Sequence, residues 1–349
     1  MAYFDQRGWG AQSQADVQMI DGVQRGSERL YVFSPSLQLG VRQNERTRHV
    51  VTMPIDIVTS ASADALDAIS SASRVNEALE VDIRTLFRPT NDDEIGFRYM
   101  VHLEEYLKGG LGGLSYTREL ADDNATIGLQ VDAGVDWFDP LSPQGFDYGL
   151  THRSRVHAAL RGSQTLSPTT LVLGGYDLTY QWGRLEQTWN AVPTTRAAAS
   201  PEELFPERRL RHALWGEIAQ HIPQGRTTLR GRYRYYRDDF DVEAHTFELE
   251  AYQWLTRNAY VRVGYRWHDQ TSPYFFTTFV TAADLSSDPY RTADSDLDDF
   301  RAHEWNMELV LFTSRDERRG RESIRIAYHR YDRPFMDIGV IAIGYDWER

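Results

Sequence analysis

Cysteine is absent from the 349 residues, and lysine occurs once, at Lys108. The first absence removes disulfides and thiolate metal ligands. It suits an envelope protein that avoids accidental cross-links, but it does not choose a compartment, since many cytosolic proteins also lack cysteine. The second leaves arginine to carry nearly all the positive charge, in a planar form that stays ionised and grips carboxylates with two hydrogen bonds. Long hydrophobic runs are missing too: nothing approaches the ~20 apolar residues of a membrane-spanning helix, and the mean hydropathy is −0.54. That excludes helical spans but not a barrel, in which every second residue can be polar. Residues 1–15 lack the basic, then apolar, then small-residue order of a secretory leader and are expected to be a flexible segment. The net charge of −13 argues against nucleic acid as a partner. No cofactor fingerprint is present. Gly109-Gly110-Leu111-Gly112-Gly113 lacks the strand-to-helix setting of a phosphate loop and reads as a flexible loop tip.

What is present is alternation. From Thr227 to His268 the chain reads two residues at a time. Leu229, Gly231, Tyr233 and Tyr235 fall on one face, Arg230, Arg232 and Arg234 on the other. Phe247, Leu249 and Ala251 then oppose Thr246, Glu248 and Glu250. Val261, Val263, Tyr265 and Trp267 oppose Arg262, Gly264, Arg266 and His268. Successive strand side chains point to opposite sides, so each strand has one greasy and one charged face, and the charged faces run Arg, Glu, Arg across the ladder.

The same period recurs along the chain. Ile127, Leu129 and Val131 alternate with Gln130 and Asp132, and Arg153, Arg155, His157 and Arg161 share a face. A short alternating piece, Val17 to Val23, stands first. Connections alternate between tight and long, the long ones including Thr59 to Asn76, Phe138 to Thr151, Gln181 to Arg208 and Asp269 to Asp299. Gly162 to Pro168 is among the tight ones. The expected fold is all-β: a transmembrane antiparallel β-barrel of about sixteen strands, within a range of about fourteen to eighteen, with short periplasmic turns and long extracellular loops. Residues 16–349 form a single domain in this reading. Within it, residues 59–76 are a small-residue insert, rich in Ser60, Ser62, Ser71 and Ser73, expected to fold into the lumen. A soluble β-sandwich or propeller is the competing fold.

Several blocks resemble one family, the outer-membrane barrels grouped as the domain of unknown function DUF3570. Asp56-Ile57-Val58-Thr59-Ser60-Ala61-Ser62, followed by Ser70-Ser71-Ala72-Ser73, is similar to that family's doubled "D-V-V-T-S-A-S". Pro206-Glu207-Arg208-Arg209 with Arg211-His212-Ala213-Leu214 resembles its "P-E-R-R…R-H-A-L". Tyr233-Arg234-Tyr235-Tyr236-Arg237-Asp238-Asp239, then His245-Thr246, resembles "Y-R-Y-Y-D-D…S-H-T", and Tyr290-Arg291-Thr292-Ala293-Asp294 resembles another block. The resemblance implies a barrel in the bacterial outer membrane and carries no activity. It also implies a genetic context of a small lipoprotein, a thioredoxin-like protein and a flavin-transferring enzyme.

The candidate chemistry lies in the lumen. Arg230, Arg232, Arg234, Glu248, Glu250, Arg262, Arg266, Arg153, Arg155 and Asp132 are expected to form a charged ladder. It reads either as a self-neutralising lattice or, where arginines outnumber acids around Arg153, Arg155 and Arg161, as a patch for an anion. Asp294, Asp296 and Asp298 alternate in a long loop and are a weak calcium candidate, since neither a turn glycine nor a closing glutamate accompanies them. Ser154 beside His152 and His157 is the one loose nucleophile arrangement. Trp137, Trp182, Trp189, Trp254, Tyr260, Trp267, Trp305 and Trp347 are expected in interfacial girdles. The functional expectation is a non-enzymatic outer-membrane barrel in transport, export or envelope assembly, without a cofactor. The alternative is a non-conducting scaffold; a hydrolase comes last. Expected partners are membrane lipid and lipopolysaccharide, together with a small lipoprotein or a periplasmic protein.

Overall fold

Alternation of this kind has one stable outcome, a sheet with chemically distinct faces, and a computed structural model shows that sheet. It describes residues 2–8, 29–60, 76–104, 107–139, 149–186, 192, 201–281, 284, 289–316, 320–334 and 336–348. The strands are β1 (Ala2–Gly8), β2 (Arg29–Ser34), β3 (Ser36–Arg42), β4 (Thr47–Ser60), β5 (Asn76–Phe87), β6 (Asp93–Leu103), β7 (Leu107–Leu120), β8 (Ala125–Phe138), β9 (Thr151–Ser167), β10 (Thr170–Gly183), β11 (Arg208–Ile222), β12 (Thr227–Asp238), β13 (Glu243–Trp254), β14 (Ala259–Gln270), β15 (Phe300–Asp316), β16 (Gly320–Arg333) and β17 (Met336–Glu348). β2 and β3 pair with β4 in one continuous register across Pro35, Phe33 facing Ile57 and Ser36 facing Pro54. They therefore count as one strand.

From there to β17 each strand pairs antiparallel with the next, an array of fifteen strands when β2 and β3 are merged. β1 pairs with β17 on one side and β2 on the other over residues 2–8, which makes sixteen and joins the two ends of the array there; among the described residues, β3 and the second half of β17 pair on one side only. Unpaired edges invite association, and a membrane offers them no water, so ring pairing is the arrangement a bilayer permits.

The faces are inverted relative to a soluble protein. On β8, Leu129 is 52% exposed while Asp132, three residues on, is 3% exposed. Leu214, Leu249, Trp305 and Ile343 are exposed, whereas Asp82, Asp136, Glu217 and Glu308 are buried. Apolar outside and charge inside is the pattern of a sheet solvated by hydrocarbon.

Several sequence expectations need correction. Ala2–Gly8, placed in the flexible segment, forms β1; its sequence puts charged and uncharged residues on one face, which hides the period. The glycine run Gly109–Gly113 is not a loop tip but the middle of β7. Its glycines make room for neighbours: a Cβ on Gly113 would lie 2.0 Å from Asp132 Oδ1, and one on Gly109 would lie 2.4 Å from Asp136 Oδ1. β9 continues to Ser167, so the tight turn there is only Pro168-Thr169. Thr59 and Ser60 still belong to β4, opposite Tyr31 and Leu30, and Asn76 opens β5. The rest of the proposed insert, with Ser62, Ser71 and Ser73, lies outside the described residues, as do Val17 to Val23 and Trp189.

Candidate lumenal site

Antiparallel register sets lumenal residues in rows across the wall. One row runs Glu217, Arg232, Glu248, Arg266, Glu304 and Tyr331 over β11 to β16. The next runs Ala219, Arg230, Glu250, Gly264, Asn306 and His329, and a third contains Tyr252, Arg262 and Glu308. Opposite charges become neighbours both along and between rows. Arg266 lies 3.4 Å from Glu248 and 3.3 Å from Glu304; Arg262 lies 3.3 Å from Glu250 and 3.0 Å from Glu308. Arg230 joins Glu217 and reaches Glu250 at 3.6 Å and the Tyr252 hydroxyl at 3.1 Å. Each of these arginines bridges two acids, which offsets the cost of removing the charges from water. A cavity of about 170 Å³ opens between Glu217, Arg230, Arg232, Glu248, Glu250 and Arg262.

Of the residues expected in the ladder, the structure brings Arg230, Glu248, Glu250, Arg262 and Arg266 together as ion pairs. Three predicted members do not join it. Among the described residues no carboxylate comes within 4.0 Å of Arg155, Arg232 or Arg234, and the same holds for Arg211. Arg153 and Arg161, expected to carry the excess charge, are neutralised, Arg153 by Asp136 at 3.0 Å and Arg161 by Asp177 at 2.7 Å. The uncompensated charge sits mainly on β11 and β12 instead. Asp132 lies beside His157, whose ring also meets Asp177.

Trp215, which sequence reasoning passed over, centres this wall. Its indole lies across Gly175, where a Cβ would be 2.8 Å from the ring. The Arg232 guanidinium lies 4.6 Å from the ring centre and that of Arg161 5.5 Å, distances at which the ring face attracts cations. Its signal was legible: Trp215 shares the alternation of Arg209, Arg211 and Glu217. Trp254 and Tyr260, expected in a girdle, belong to the lumenal face. They pack with Phe312 near the short-turn rim, Trp254 stacking on it at 5.9 Å, and only their even spacing from Glu250 and Arg262 could have said so. Trp137, Trp305 and Trp347 do face outward.

At the long-loop rim three connections fold into one cap. Phe205, Phe240 and Phe275 pack with centroids 5.1 to 6.1 Å apart, joined by Val242. Leu204 and Arg291 exchange backbone hydrogen bonds, and the buried Glu203 carboxylate accepts from the Thr292 hydroxyl at 2.6 Å and the Ala293 amide at 3.1 Å. The blocks around Pro206, Tyr233 and Tyr290, far apart in sequence, therefore meet here. The aspartates of the calcium candidate are used locally. Asp294 accepts from the Asp296 amide, Asp298 from the Asp299 amide, and Asp296 meets Arg333 at 2.5 Å. Among the described residues no group of three or more acids and histidines could hold a metal. Burial raises the Asp294 and Asp298 carboxyls above the usual carboxylate range. Of the residues in the loose nucleophile arrangement, Ser154 and His152 share a face of β9, whereas His157 lies on the opposite one, an even-odd separation that keeps it from acting with Ser154.

Comparison with known proteins follows the geometry. A bacterial polysaccharide outer membrane secretin is 8% identical over 100% of this chain and 97% of its own, with a TM-score of 0.50. The outer membrane protein OpdK from Pseudomonas aeruginosa is 9% identical over 98% and 95%, at 0.43. The siderophore receptor PirA from Pseudomonas aeruginosa is 12% identical over 95% of this chain and 55% of its own, also at 0.43. The chain spans about half the length of that receptor and of the ferric enterobactin receptor PfeA. At such identities the likeness is one of fold. No curated protein matches the sequence. One family does, over residues 130–332, more than half of the chain and the stretch that holds the ladder, the unpaired arginines and most of the cap, and the chain belongs to it: the family described as protein of unknown function DUF3570.

Proposed function

We propose that the chain resides in the bacterial outer membrane and passes a small charged solute through its lumen, as a transport or export component. The observation that carries this reading is the lumenal lining. Charged rows and a polar cavity of about 170 Å³ make an interior that water and ions tolerate, inside a wall that only hydrocarbon suits. Reconstitution into planar bilayers tests it: discrete conductance steps are expected, and their persistent absence with folded protein overturns the reading.

The second reading is a non-conducting scaffold that holds a lipoprotein or periplasmic partner and serves envelope assembly. The doubly bridged arginines and the folded cap favour it, because both fill space a pore would leave open. Recovery of a stoichiometric partner on native purification, together with silent bilayers, would replace the pore with the scaffold.

A further inference from the structure

We infer that the β11–β12 wall of the lumen binds an oxyanion, the phosphate or carboxylate group of a solute, through Arg232 and Arg234. The inference deepens the transport reading and rests on it for the biological meaning of the site, though not for the binding itself.

The asymmetry of the lumen comes first. On β13 to β16 every arginine of the ladder has one or two acids. On β11 and β12 the acids are already taken: Asp238 by Arg209, Glu217 by Arg230. Asp177, on the adjacent β10, is occupied by Arg161 and His157. Arg211, Arg232 and Arg234 remain as half-buried cations with no carboxylate within 4.0 Å among the described residues. Cations gathered on one wall repel one another and are desolvated, an arrangement that persists when a counter-charge completes it.

The donors tell the same story. The Nε atom of Arg232 is buried and has no acceptor. The Nε atoms of Arg262 and Arg266 are orphaned too, but each of those guanidiniums meets two acids, whereas Arg232 has no carboxylate within 4.0 Å among the described residues to complete it.

Geometry confines the ligand. Arg232 and Arg234 are two residues apart on β12, about 7 Å along one face. Arg211 faces Asp238 across the β11–β12 ladder, four residues beyond Arg234 toward the rim, and so lies outside the pair, on the rim side of Ala213. The wall is recessed at Ala213, with Trp215 on its other flank carrying Arg232 against its ring at 4.6 Å. That stacking fixes the plane of one guanidinium, and a fixed fork binds the two oxygens of a carboxylate or phosphate with less loss of side-chain freedom. The cap bounds the site at the rim through Arg209 and Phe240, whose ring lies 4.5 Å from the Arg209 guanidinium.

Calorimetric titration of the purified chain, folded in detergent at low salt, tests the site. The probes are inorganic phosphate, citrate as the carboxylate, and choline as a cationic comparison. Saturable binding of phosphate or citrate but not choline is expected, weakened at least tenfold in R232Q/R234Q and unchanged in R325Q, whose arginine is held by Asp346 at 3.0 Å. Which of the two anions binds tells the headgroup. If the double variant does not fold, R232K and R234K keep the charge and lose the two-pronged grip, and each should weaken binding several-fold. Absence of anion binding by the folded chain, or equal binding by the variants, overturns the site. Binding without conductance keeps the site and removes the pore; conductance without binding does the reverse.

Discussion

Arg209 and Asp238 form a pair sealed from solvent at the long-loop end of β11 and β12: the guanidinium reaches the carboxylate at 2.5 Å, and the Asp238 side chain has no exposed surface. The same carboxylate accepts from the Tyr236 hydroxyl and from the amides of Phe240 and Val242. One aspartate therefore holds both the barrel wall and the turn that carries Phe240 into the cap. Replacing it by asparagine keeps the shape and strands the arginine. We expect D238N to cost about 3–5 kcal/mol, the usual penalty for breaking a buried pair. Urea unfolding in detergent measures it, and a loss below about 1 kcal/mol would contradict the pairing.

β7 offers a paired comparison. Gly113 gives its space to Asp132, whereas nothing lies within 4 Å of a Cβ on Gly112. G113A is expected to destabilise by about 1–3 kcal/mol, the range for overpacking. G112A should be neutral or gain up to about 1 kcal/mol, since alanine orders the unfolded chain more than glycine does. Equal effects in the two variants would show that the close approach does not matter.

On the outer face a motif repeats. Tyr176 bonds His212 at 2.6 Å, Tyr233 bonds His245 at 2.6 Å, and Tyr265 bonds His303 at 2.7 Å, each phenol meeting the imidazole Nδ1 one step toward the long-loop rim on the next strand. In a membrane such polar groups need each other, because lipid offers no substitute. Y233F should cost about 0.5–1.5 kcal/mol. Y99F removes an outward hydroxyl with no partner among the described residues and should cost nothing measurable. Parallel unfolding of the two variants in lipid vesicles separates them.

The acidic loop should respond to pH. Burial raises the Asp294 and Asp298 carboxyls above their unfolded value, with Asp296, Asp299 and Arg333 as the charged groups facing them. The folded loop thus binds protons more tightly than the unfolded one. Its stability is greatest below the ordinary carboxylate range and falls as pH rises through the raised values. Amide exchange in residues 289–299, corrected for its intrinsic pH dependence, should be slower at low pH. D294N should flatten the dependence; an unchanged slope would remove Asp294 as its source.

Much of the barrel was legible because lipid and lumen impose a period of two on every strand. The Arg–Glu–Arg faces of β12 to β14 named the ladder before any coordinate did, and the register made the pairs. Other features depend on more than one strand. That Gly109–Gly113 lies within β7 follows from Asp132 and Asp136 on the neighbouring strand needing room, which the run itself does not disclose. Whether Arg153 or Arg211 keeps a free charge depends on which acids the adjoining strands bring within reach. The cap was hidden for a related reason: Phe205, Phe240 and Phe275 sit in three connections, and nothing local announces that they meet.

The union of those three connections has an immunological consequence. An antibody approaching the long-loop side encounters one surface assembled from separate stretches, tied together through Glu203, Thr292 and the phenylalanine trio. Sera raised against the native molecule will recognise a conformational epitope there that heat erases and no single synthetic peptide reproduces.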